Sequence, residues 1–187
     1  MIRMPMLALA GLVALALAAT GCVIESAQVF THFDLPDPFS IDSSSDPFER
    51  VLVDLNTVSE YEDHKSEIKG LTDVAFGGRF ENLTGPAGTV EVWMTRDDTN
   101  YGSVGQVKAN GMKLWGPASI GASGSGDAVH TLGWDESSKL FDPAGRGALI
   151  DEVKGDGVFT IYVFGTAGTY RIQATGGTIL LTLDAAK

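Results

Sequence analysis

Along most of the chain, short runs of alternating apolar and polar residues are divided by Gly, Pro, Ser and Asp. Val51, Val53 and Leu55 alternate with Leu52, Asp54 and Asn56, the period-two signature of a half-buried strand. The signature returns at 27–33, at 72–83, at 89–96 with Val90, Val92 and Met94 on one face, and at 128–134. Shorter pieces at 106–109 and 112–115 read the same way. Residues 158–164 are almost all β-branched or aromatic, which predicts a central strand buried on both faces.

Turn chemistry fills the gaps. Gly77-Gly78 inside a strand predicts a bulge or bend. Thr84-Gly85-Pro86-Ala87-Gly88 reads as a hairpin turn. Gly176-Gly177 reads as the turn of a closing hairpin made by 168–174 and 178–183. Helical signals are few. Ser59 and Glu62 have capping-box spacing, Tyr61, His64, Lys65 and Ile68 share one helical face, and Gly70 follows, predicting a helix over 60–69. Residues 136–141 suggest a helical turn, and 148–153 a short helix closed by Gly155.

Eight or nine short strands with regular turn signals predict an all-β antiparallel β-sandwich carrying one or two short helices. Jelly-roll connectivity is one arrangement this allows. A parallel sheet is excluded because its crossovers need helices of about a dozen residues or more. Residues 50–187 form the expected domain. Residues 22–49 read as an anchor and Pro/Ser-rich segment with a first strand at 27–33. Its phenylalanines argue against a disordered tether.

The start of the chain has a different pattern. Arg3 precedes an unbroken apolar run from Leu7 to Ala19, which is too short for a spanning helix of about 20 residues and suits a signal-peptide core. Ala19-Thr20-Gly21-Cys22 follows, and Cys22 is the only cysteine, so no internal disulfide can form. These four residues resemble the lipobox of bacterial lipoproteins, with Ala19 where the common pattern has Leu. The resemblance covers residues 1–22 only. It implies removal of residues 1–21, lipid on Cys22 and attachment to a membrane. With Val23 rather than Asp after the cysteine, it further implies the outer membrane if the host has two.

The chain carries 13 basic and 24 acidic side chains, for a formal charge of −11. Removing residues 1–21 takes away only Arg3, leaving the remainder one unit more negative. Such acidity excludes a phosphate-binding surface, hence a nucleic-acid partner, and a basic face against anionic lipid.

No catalytic motif or cofactor-binding pattern is present. His32, His64 and His130 lie in no zinc-type spacing. The 121–126 loop only superficially resembles a nucleophile elbow, because Ser125 stands where the second glycine belongs. Asp97, Asp98 and Asn100, and separately Asp34, Asp37, Asp42 and Asp46, are candidate calcium ligands, although acidic turns arise for backbone reasons alone. Trp93 and Trp115 fall on polar strand faces, either as a ligand-stacking platform or packed beneath loops. The expectation is a lipid-anchored binding or structural module at the cell envelope with a protein or glycan partner. The alternatives are a small exported glycan-acting enzyme using paired carboxylates, or an assembly or adhesion subunit.

Overall fold

The computed structural model describes residues 26–45, 47–96, 99–166 and 169–186. Nine strands run through them: β1 (Ser26–Asp34), β2 (Phe39–Asp42), β3 (Phe48–Asp54), β4 (Ile68–Thr84), β5 (Gly88–Thr95), β6 (Met112–Ile120), β7 (Val129–Leu132), β8 (Val158–Thr166) and β9 (Arg171–Ala186). One sheet has the order β1-β9-β4-β7, with β2 also on β9, and the other β3-β8-β5-β6. Every ladder is antiparallel. The fold is the expected all-β sandwich, and its interleaved strand order is that of a jelly roll. β1 and β2 are integral to the first sheet, so the sandwich reaches back to Ser26 rather than starting at residue 50.

The main core lies between the sheets. Ile172, Ile179, Leu181 and Leu183 of β9 face Phe159, Ile161 and Val163 of β8 across it, and all are at most 2% exposed. The other face of β8 is buried too. Tyr162 and Phe164 form a second cluster with Val107, and Phe48, Trp93, Tyr101 and Val104 pack around them. β8 is therefore covered on both faces, as its unbroken apolar run requires.

Four α-helices fill the connections: α1 (Ser59–His64), α2 (Val104–Asn110), α3 (Trp134–Ser137) and α4 (Pro143–Lys154). Residues 106–109, expected as strand, belong to α2. Ser103 caps it by accepting from the Gln106 N–H, while Gln106 Oε1 accepts from the Gly102 N–H. Val104 and Val107, three residues apart, pack on the second cluster. Conversely, the capping box at Ser59 is not used: α1 begins at Ser59 with no side-chain cap, and a 3-10 turn at Lys65–Glu67 leads into β4 at Ile68.

The two expected hairpins are corrected as well. β4 and β5 belong to different sheets, so 84–88 is a crossover between layers. β9 is one continuous strand. Its Gly176, at φ +60, and Gly177 form a bend opposite Gly77-Gly78 of β4, where the register shifts. A Cβ on Gly78 would lie 3.3 Å from the Gly177 Cα, so the paired glycines let the two strands bend together.

β7 covers only the Gly78–Glu81 stretch of β4. The rest of that edge is closed by helices. Ser137 Oγ in α3 accepts from the Phe76 N–H at 2.6 Å, and the Arg146 guanidinium in α4 donates to the Thr72 carbonyl at 3.1 Å. Asp142 caps α4 at the Ala144 N–H, and Leu149 inserts into the main core. No helix among the described residues is long and apolar enough to cross a membrane.

Candidate functional site: a groove between the sheet edges

β6 and β7 are the edge strands of opposite sheets, on the side where α3 and α4 plug only part of the gap. The remainder is an open groove of about 800 Å³. Pro117, Ala118, Ser119 and Ile120 of β6 form one wall, and Asp127, Val129 and His130 the other. Glu136 of α3 and Leu140 line it as well, with Gly88 and Thr89 from the start of β5.

Local sequence fixes this geometry. His130 is half-buried and alternates with Leu132, the buried end of β7, so it faces the inter-sheet side. Gly133 ends the strand and α3 starts at once, carrying Glu136 back to His130, with Nε2 and Oε1 2.9 Å apart. The connecting loop is tied down at several points. Gly121 N–H donates to the Asp127 carbonyl, and Asn82 Nδ2 donates to the Gly121 and Pro86 carbonyls. Ser123 and Ser125, the hydroxyls of the elbow-like stretch, donate to the Leu83 and Ala122 carbonyls, so neither is set up as a nucleophile. Asn82 is 2% exposed and serves as a structural tie.

Among the described residues, Asp127, His130 and Glu136 are the titratable groups on the groove, and no Lys or Arg lines it. The groove suits neutral or cationic ligands over anionic ones. The His130 imidazole is held in place by the Glu136 carboxylate. Hydroxyls of Ser119 and Thr89 add hydrogen-bonding groups, and Ile120, Val129 and Leu140 add apolar surface. The pair's side chains are 34% and 51% exposed, so it contributes little to stability.

The residues singled out from the sequence lie elsewhere. Trp115 is fully buried, its ring against Phe76 and its Nε1 donating to the Ser137 carbonyl at 2.8 Å, so it presents no stacking face. Simple alternation misplaced it because β6 is irregular. Register shifts against β5 flank Val92, the partner of Trp115, and turn Leu114 and Trp115 both inward. Trp93 does lie on the outer face of its sheet, but it stacks on Phe164, Lys108 sits 5.6 Å from its centroid, and its Nε1 donates to Glu91. Trp134, at the first position of α3, is the tryptophan left most exposed, at 39%.

Cys22, Asp46, Asp97 and Asp98 lie outside the described residues. Asn100 is exposed. Asp37 accepts from the Gly176 N–H, and Asp42 accepts from both the N–H and hydroxyl of Ser44, which hold its carboxyl below the usual range. No group of three or more His, Cys, Asp or Glu among the described residues is arranged to hold a metal. His32 is exposed, and His64 pairs with Glu67 at 3.1 Å.

Three other groups are shifted by structural roles; in one, burial pushes the Tyr170 phenol up while it donates to the Gly165 carbonyl. Burial, then the Glu62, Asp156 and Asp54 carboxylates, push the Tyr61 phenol up to about 12 while it donates to the Val153 carbonyl. The Ala144 N–H, with Lys113, holds the Asp142 carboxyl below its ordinary value. No family model matches the chain, and no curated protein is significantly similar to it.

Proposed function

We propose that this chain is an exported, lipid-anchored binding module, tethered through Cys22 at the cell envelope and presenting the β6–β7 groove to a neutral or cationic ligand. If the host has two membranes, the outer one is the place of attachment. Support for the tether comes from the apolar segment ending in a lone cysteine. The carrying observation for binding is the open groove lined by Asp127, His130 and Glu136, with no lysine or arginine among its described lining residues. Hydrolysis in the same groove is the second reading, favoured by the carboxylate-held imidazole beside a further carboxylate.

Two measurements test the proposal. Radiolabelled fatty acid should enter the wild-type chain and fail to enter Cys22→Ser; label persisting in the variant removes the anchor. A screen of glycans and peptides should give a ligand whose binding is lost in Asp127→Asn and His130→Ala while the melting temperature is unchanged. Binding indifferent to both substitutions removes the groove. Turnover of a bound glycan, lost in His130→Ala, would favour the enzyme.

A further inference from the structure

A strand edge that leaves its backbone N–H and C=O groups unpaired is a template for another strand, and proteins ordinarily guard it with charge, proline, bulges or brevity. Three of the four sheet edges here are guarded. β3 carries Glu49, Arg50 and Asp54. β6 contains Pro117 and two register shifts. β7 has four residues. β1 lacks these four protections: its first eight residues are uncharged, it contains no proline, and it pairs with β9 from Ser26 to Asp34 without a register shift, although α1 packs against it. Among the described residues, no strand occupies its other edge. At its midpoint stands Phe30, 67% exposed, the most exposed large hydrophobic residue described.

We propose that the outer edge of β1 pairs with β1 of a second copy, antiparallel and centred on Phe30. The strand is complementary to itself in that register. Phe30 meets Phe30, Val29 meets Thr31, Gln28 meets His32, Ala27 meets Phe33, and Asp34 lies opposite Ser26, so no like charges oppose one another. It is the register that pairs all nine residues. A two-fold axis makes the contact isologous and closed, giving a dimer rather than a fibre. The inward residues Thr31 and Phe33 already face the core, so pairing extends the sheet without rearranging it. The two Phe30 rings then form a cross-strand aromatic pair on the outer face. This inference does not depend on the groove or the anchor.

Sedimentation velocity on the full-length chain in density-matched detergent tests it, run up to about 100 µM because one strand–strand contact is a small interface. A dimer is expected. Phe30→Lys should weaken it about tenfold or more, from a like-charge pair at the axis and the lost aromatic pair. Leu52→Lys, at the exposed hydrophobic on the β3 edge, should not weaken it. Phe30→Cys in a Cys22→Ser background should cross-link across the axis on mild oxidation, and Leu52→Cys in the same background should not. A wild-type monomer at the highest concentration, a dimer indifferent to Phe30→Lys, or no Phe30→Cys cross-link overturns the proposal. Circular dichroism checks that each variant is folded.

Discussion

Ser137 is fully buried at the end of α3 and makes two contacts that no other residue supplies. Its hydroxyl oxygen accepts from the Phe76 N–H on the β4 edge, and its carbonyl accepts from Trp115 Nε1. Ser137→Ala keeps the carbonyl and removes the hydroxyl. Phe76, 2% exposed, is then left with a buried N–H that water cannot reach. Stranding such a donor costs about 1–3 kcal/mol. Alanine's better helix propensity returns about 0.5 kcal/mol at most, and the lost oxygen leaves a void smaller than a methyl group. The net expectation is about 1–2.5 kcal/mol, or roughly 2–10 °C in melting temperature for a domain of this size. Urea unfolding followed by tryptophan fluorescence measures it, with the m-value unchanged if the surface exposed on unfolding is the same. A double-mutant cycle with Trp115→Phe should show coupling, because both residues fix the position of α3 against β4. A loss below about 0.5 kcal/mol at constant m, the range of ordinary surface substitutions, refutes the assignment of Ser137 as the tie between α3 and the sheet.

Asp142→Ala removes the α4 cap and the 3.1 Å contact to Lys113, at an expected cost of about 1 kcal/mol at neutral pH. The Asp142 pKa is lowered by folding, so its contribution is present above the unfolded value and lost as pH falls through the folded one. The penalty, followed by denaturation at a series of pH values, should therefore shrink below about pH 4. The Tyr61 pKa is instead raised to about 12, so its contribution is complete below the ordinary phenol value and lost as pH climbs towards 12. Burial raises the Tyr170 phenol too, so ultraviolet titration should show tyrosines ionising late, and Tyr61→Phe should take one of them out of that phase. Gly121→Ala would place a Cβ 2.6 Å from the Asp127 carbonyl carbon, so thermal melting should show a loss of about 1–3 kcal/mol. His130→Ala, by contrast, should change stability by less than about 0.5 kcal/mol in the same assay, because its ion pair is exposed.

The fold class was legible because alternation and turn chemistry are local, and β3, β5 and β8 lie close to where the pattern placed them. What alternation cannot show is which sheet a strand joins. The 84–88 turn residues are the same for a hairpin and for a crossover, and only the distant partners of β4 and β5 decide between them. Gly176-Gly177 likewise carries a turn signature, yet it serves a bend imposed by the glycines of β4. The two capping-box patterns show the limits of a local rule. The one at Ser59 is present and unused, while the one at Ser103-Val104-Gly105-Gln106 opens α2 over residues whose apolar pattern also suits a strand. The groove was illegible for a similar reason. Asp127, His130 and Glu136 lie within ten residues of one another, but they converge only because β7 stops after four residues and α3 folds back on it. A histidine followed six residues later by a glutamate across a Gly-Trp break was the available clue.

β9 and β8, the last two described strands, are interior strands of the two sheets, beside β4 and β5. β9 is the common partner of β1, β2 and β4, so until residues 171–186 are present the first sheet holds only the short β4–β7 ladder. A chain synthesised from its N-terminus therefore holds β1, β2 and β3 without any of their partners until β8 and β9 arrive. This order of assembly keeps the sandwich from closing until its last strands are present. The same pairing sets Ser26 opposite Ala186, so β9 finishes where β1 begins.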